Sequence, residues 1–275
     1  MIKAKEFIIG LWLTFSAFIV VFSLFMLVWH IFHNGWPVIS FEFLTSSPAA
    51  FHSSEGGGIY PALAGSLLLT LIAGLFAIIF AVPVALFKTL FLKENHLSKL
   101  ISIINYLIAS IPSIVLGLFG YAFFVIGLGT GKSLLAGGLT LGIMIYPFLE
   151  IRIENSIKEI PLSLTSASQA LGVSRSYYIR KLLLPMTYSE IISAVVLSLG
   201  YAMGATSPLI MTAAVLYADV PTDLLDPVMS LPTHLYTLIN QGSQSGEVFG
   251  TALVLLTLVF IINTATLFLG GNRDD

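Results

Sequence analysis

Six stretches of this chain are apolar for long enough to dictate its solvent: about residues 7–32, 62–92, 102–126, 133–149, 190–216 and 247–270. Crossing the hydrocarbon core of a bilayer takes about 20 mostly apolar residues in a helix. Only 9% of the 275 residues are charged, against roughly 25% in a soluble domain, and water cannot solvate so uncharged a surface. The fold class expected is therefore all-α, an integral membrane protein with six transmembrane helices and membrane lipid as its surroundings. Lys3 and Lys5 precede the first stretch as they would in a signal peptide. Its apolar core is too long for one and no small-residue cleavage site follows closely, so it reads as a retained anchor.

Lysine and arginine in the loops set the orientation. With six spans both termini share a side, which collects Lys3, Lys5, Lys88, Lys93, Lys99, Arg152, Lys158, Arg175, Arg180, Lys181 and Arg273, while the other side holds only Lys132. Both termini are expected in the cytoplasm. Two long loops, 33–61 and 217–246, then face outward without a Lys or Arg, the second carrying Asp219, Asp223 and Asp226. Loops of that length usually have a job or are disordered. Lys88, at the end of the second stretch, is read as snorkelling to the interface.

The cytoplasmic segment 150–189 contains SASQALGVSRSYYIRKLLLP at 166–185. Pro161 and Ser163 suit a helix start. Ala167, Ala170 and Leu171 share one face at i, i+3, i+4 spacing. Gly172 can stop the helix in the left-handed conformation, and a second short helix is expected from about Ser174 to Leu184, ended by Pro185. The small residues allow a partner close backbone approach, and Arg175, Arg180 and Lys181 would face water or acidic headgroups. A basic loop that only enforces topology is the plainer alternative.

Catalytic chemistry finds little support. GLGTGKS at 127–133 matches the end of a phosphate-binding loop, but the required first glycine falls on Ile126 and a spanning helix precedes it. It reads as a turn between the third and fourth spans. His30, His33, His52, His96 and His234 are scattered without a carboxylate at ligand spacing, and the chain has no cysteine, so neither a metal site nor a disulfide is expected. The net charge of −2 gives no sign of nucleic-acid binding. No cofactor is implied.

Within the spans, neutral polar residues and prolines stand out: Asn105, Ser110, Pro112 and Ser113 in the third; Tyr201, Thr206, Ser207, Pro208 and Thr212 in the fifth. Hydrogen bonding between helices is one reading of them. A shared aqueous pathway is the other, with Pro208 leaving carbonyls that water or protein would satisfy.

The 166–185 segment resembles the EAA loop of bacterial ABC-importer permeases: E-A-A, three residues, Gly, nine residues, Ile, one residue, Leu-Pro. Ala167, Gly172, Leu184 and Pro185 match; Ser166, Ser168 and Leu182 differ. The chain is similar above all to the phosphate-specific, PstA-like permeases, through GGIYPALAGSLLLTL (57–71), IPSIVLGLFGYAFFV (111–125) and LPTHLYTLINQ (231–241). The resemblance implies the type I permease fold of ABC importers, with an anchor helix and external loop over 1–61 and the permease domain over 62–275. It implies a non-enzymatic subunit in a bacterial or archaeal plasma membrane. Its partners would be separate ABC ATPase subunits, a second, PstC-like permease and an extracytoplasmic phosphate-binding protein. Carried over, Ala167, Ala170, Gly172, Arg175, Leu184 and Pro185 would form the ATPase-coupling loop, while Ser110, Ser113, Tyr201, Thr206 and Ser207 are the candidate substrate pathway.

One departure bears on the cargo. GYAMGATSPLI (200–210) aligns with a family segment of the form A-R-A-x-G-E-T-A-P-L, so the Arg falls on Tyr201 and the Glu on Ala205. On a continuous helix these are i and i+4, where the family's charges could neutralise one another. Their loss leaves inorganic phosphate as the first expectation, with another oxyanion, a small solute, or a scaffold or sensor role without transport as alternatives.

Overall fold

A computed structural model describes residues 2–48, 57–92, 95–242 and 246–270. His52, Lys93 and Arg273 lie outside them. The described residues form helices: α1 (Ile2–Gly35), α2 (Phe41–Thr45), α3 (Tyr60–Phe87), α4 (His96–Ser110), α5 (Ser113–Gly120), α6 (Leu134–Lys158), α7 (Leu162–Ala170), α8 (Arg175–Tyr177), α9 (Leu184–Met203), α10 (Ser207–Thr212), α11 (Leu231–Asn240) and α12 (Gly246–Gly270). Wider, π-type turns extend α3 over Lys88–Leu92 and α5 over Tyr121–Gly127, and join α8 to α9 over Tyr178–Leu183.

α3 and α6 make the most extensive helix pair and carry the core. Ala73, Ala77, Ala81 and Ala85 recur every four residues on α3 and are completely buried. Lipid tails are as apolar as leucine, so small residues that let backbones approach are what bind helices in a bilayer. Gly142 on α6 is such a residue: a Cβ there would stand 2.7 Å from Phe76 Cδ1. α1 is different. Its apolar surface from Ile9 to Phe25 is largely exposed, and it meets α12 at its far end, where the His30 and Phe249 rings are 5.3 Å apart.

Among the described residues, five helices are long and apolar enough to span a bilayer, six if α4 and α5 form one span. The third span departs from the continuous helix expected over 102–126. It starts earlier, at His96, with the Asn95 side chain accepting the His96 N–H at 2.6 Å, and it bends by 100° between α4 and α5. Pro112 is the cause, because the residue before a proline is pushed out of the helical region, and Ile111 is extended at ψ 128°.

The fifth span differs in two ways. Helix runs without interruption from Arg175 to Met203, straight through Pro185, which does not end it. The wide turn over Tyr178–Leu183 immediately before the proline shifts the carbonyls with which its ring would clash in a regular α-helix. The helix then stops at Gly204 and resumes as α10. Pro208 lies in the first turn of α10, where a missing N–H forfeits no helical bond. It does not interrupt a helix, and Tyr201 lies at the end of α9 while Ala205 lies in the break itself, so the two are not one turn apart on one helix.

The 217–246 loop is partly helical. Ser230 and Thr233 form a reciprocal capping box that starts α11, and the Leu231 N–H donates to Ser66 Oγ at 2.8 Å. That bond draws 231–241 against 57–71. The Asp226 carboxylate accepts the N–H groups of Thr222 and Asp223 and the Thr222 hydroxyl at 2.8–3.0 Å, and these bonds hold its pKa below the usual carboxylate range. Residues 127–133 form a turn with positive φ at Gly129 and Gly131. Lys132 Nζ there donates to the Ile210 and Ala214 carbonyls at 3.1 and 3.2 Å, and Ser133 caps α6.

Candidate functional site

The two interrupted spans meet around a cavity of about 830 Å³. Ser113 reaches it from the first turn of α5, Tyr201 from the end of α9, Thr206 from the break before α10 and Ser207 from the first residue of α10. Four of the five residues assigned to a substrate pathway thus line one space. Ser110 does not: it is exposed and its hydroxyl donates to the Leu107 carbonyl at 2.8 Å. α6 contributes Met144, Phe148 and Arg152, and α12 contributes Asn263. The Tyr201 ring packs on Phe148 with centroids 5.1 Å apart. Segments 111–125 and 200–210 are brought together here, for a Cβ on Gly117 would come within 2.8 Å of the Pro208 Cα.

On the opposite face of α6 lies a charge cluster. Lys88 is 1% exposed, Glu150 0% and Glu154 8%. Lys88 Nζ donates to Glu150 Oε1 at 2.9 Å and Glu154 Oε2 at 2.5 Å. Asn105 Nδ2 donates to Glu150 Oε2 at 2.6 Å, and Lys158 Nζ lies 2.8 Å from Glu154 Oε1. Every carboxylate oxygen has a donor, and two cations balance two anions. Lys88 therefore does not snorkel, and Asn105 serves this cluster, not the cavity. The signal in the sequence is Glu150, Glu154 and Lys158 at i, i+4, i+8, which share a helix face.

The 162–185 element turns where Gly172 adopts φ +69°. Ala167, Ala170 and Leu171 are exposed together, Leu171 at 81%. The Thr165 and Tyr178 hydroxyls lie 2.9 Å apart and hold α7 to the following helix. Arg175 is exposed, as expected, and its guanidinium also sits 5.4 Å from the centre of the Phe91 ring, in the same wide turn as Lys88. Leu184 is half-buried and Pro185 exposed at the start of α9. No group of three His, Asp or Glu side chains placed to hold a metal occurs among the described residues.

The model of one protein family, described as the binding-protein-dependent transport system inner membrane component, matches residues 74–271. The chain belongs to that family. Among relatives of this inner membrane component, a probable phosphate transport system permease protein PstA of Methanocaldococcus jannaschii is 31% identical over 269 residues, covering 95% of this chain and 92% of the relative. Phosphate transport system permease protein PstA 1 of Mycobacterium tuberculosis is 30% identical, over 91% of this chain and 84% of its own. A probable ABC transporter permease protein, YqgI of Bacillus subtilis, is 29% identical over 88% and 86%. Among solved structures, the inward-facing MetNI methionine ABC transporter superposes with a TM-score of 0.64 at 23% identity, over 74% of this chain and 91% of that one. A bacterial ABC transporter that imports the acidic polysaccharide alginate gives a TM-score of 0.59 at 16% identity, over 96% and 99%. The permease fold of ABC importers, all-helical and multi-pass, is thus shared by this inner membrane component.

Proposed function

We propose that this chain is one of two permease subunits of an ATP-driven importer and forms part of the pathway for inorganic phosphate. The observation that carries the reading is the likeness along nearly the whole chain to permeases named for phosphate transport. Its physical counterpart is the cavity, where hydroxyls of Ser113, Tyr201, Thr206 and Ser207 offer donors to an oxyanion between two interrupted spans. Both termini and the 162–185 element face the cytoplasm in this reading, which the excess of eleven Lys and Arg against one supports. The exposed Ala167, Ala170, Leu171 and Gly172 surface docks a separate ATPase subunit, which supplies all hydrolysis. A second permease closes the pathway. A binding protein delivers substrate to 33–61 and 217–246. Residues 1–61 act as anchor and outer loop, and 62–275 as the permease domain.

Tyr201, standing where the resembled segment has Arg, favours one second reading: a different oxyanion as cargo. Uptake by the assembled complex in proteoliposomes, with phosphate, sulfate and molybdate compared, decides between them. ATP-dependent uptake of phosphate above the other two is expected. Uptake of sulfate or molybdate without phosphate would establish the second reading. Failure of an ATPase subunit to co-purify, or intact uptake after deletion of 166–185, would overturn the importer assignment.

A further inference from the structure

We infer that Arg152 is the cation that draws and holds an anion in this cavity. The inference rests on the reading of this chain as an importer's pathway subunit. It begins with the two faces of α6. Met144, Phe148 and Arg152 follow one another at four-residue spacing and all line the cavity. Glu150 and Glu154 lie two positions away from Arg152 in either direction, which turns them by about 200° around the helix, to the far side. There both are satisfied by Lys88, Lys158 and Asn105. The carboxylates closest in sequence to Arg152 are thus spent on other cations, and none of the described residues pairs its guanidinium. The cavity lining includes no Asp or Glu among the described residues and no cation other than Arg152. Glu190 lies one turn before Ala194 on α9, outside the lining.

A cavity whose only formal charge is positive, with apolar walls such as Met144 and Phe148, concentrates anions. A guanidinium offers a planar fork of donors that matches an oxyanion in two-point contact. Placement fits the same role. Tyr201 packs on Phe148, and Arg152 follows Phe148 by one helical turn, about 6 Å along α6. An oxyanion leaving the hydroxyls of Tyr201, Thr206 and Ser207 meets Arg152 next, toward the end of α6 that faces the 162–185 element.

The chain has no cysteine, so Arg152→Cys would carry its one thiol. Uptake by the assembled complex is measured for that variant after reaction with a cationic aminoethyl or an anionic sulfonatoethyl methanethiosulfonate. We expect the unreacted variant to raise the KM for phosphate roughly ten- to hundredfold, the worth of a lost charge-assisted contact. The cationic reagent should recover most of that loss, and the anionic one should deepen it. Equal KM values after the two reagents would overturn the assignment, since a merely structural side chain does not distinguish their charges. If Arg152→Cys does not assemble, Arg152→Lys and Arg152→Gln carry the comparison: Lys is expected within a few-fold of the unaltered complex and Gln far outside it, and equality of the two would refute the role. Absence of oxyanion uptake by the unaltered complex would overturn the importer reading instead. Uptake with an unchanged KM in Arg152→Gln removes this inference alone.

Discussion

Replacing Lys88 by methionine should destabilise the protein severely. The substitution preserves most of the side chain's volume and removes its charge. What remains is Glu150, fully buried, with only the Asn105 amide at 2.6 Å, while Glu154 keeps Lys158 at 2.8 Å. Removing one partner of a buried ion pair costs about 3–5 kcal/mol, because the other charge is stranded in a medium that cannot solvate it. In thermal terms that is a fall in Tm on the order of 10 °C for a chain of this size. Glu154→Gln should cost less, about 1–3 kcal/mol, since Lys88 retains Glu150 at 2.9 Å. The pair Lys88→Met with Glu150→Gln should recover most of the loss, having removed cation and anion together. Unfolding of the detergent-solubilised protein, followed by intrinsic fluorescence, reads all three. A Tm for Lys88→Met within 2 °C of the unaltered protein, or a double variant no more stable than the single, would refute the reasoning.

Burial pushes the His234 imidazole pKa down to about 4 from 6.5, so between those values the unfolded chain binds a proton that the folded one refuses. Stability should be full above about pH 6.5, fall as pH drops toward 4, and lose at most about 3 kcal/mol; denaturation of His234→Gln across that range should be flatter, and an equal slope in both proteins would exclude this residue as the cause. Gly172→Ala forces a Cβ into φ +69° at a cost of about 1–2 kcal/mol, and ATPase subunits should co-purify less completely with it. Undiminished co-purification would show that the turn geometry does not matter for docking.

Class and spans were legible because hydropathy is a one-dimensional signal: the bilayer asks only for length and apolarity. The turn at Gly172 was legible for a similar reason, since its φ of +69° is one that few other residues accept. The breaks were half legible. Pro112 and Pro208 marked both, yet the helix stops before each proline, and Pro185 sits inside a continuous helix because a wide turn precedes it. The charge cluster was opaque. Lys88 meets its partners 62 and 66 residues away, and a lysine at the end of an apolar run has the same local sequence whether it snorkels or is buried. Arg152 was hidden in the same way: in a count of loop charges it is one cation among eleven, and only the register of α6 turns it toward the cavity.

The isolation of α1 has a mechanical consequence. At 1.5 Å per residue its apolar stretch, about residues 7–32, extends about 39 Å, beyond a hydrocarbon layer of about 30 Å. The excess is accommodated by tilt or by local thickening of the bilayer, at fractions of a kcal/mol per Å. Because α1 is attached near Gly35 and stands clear of the bundle over Ile9 to Phe25, it can lean like a mast stepped at one end. Membranes of different thickness then change the angle of this one helix, and the registry of α3 against α6, on which the cavity and the charge cluster both depend, is left undisturbed.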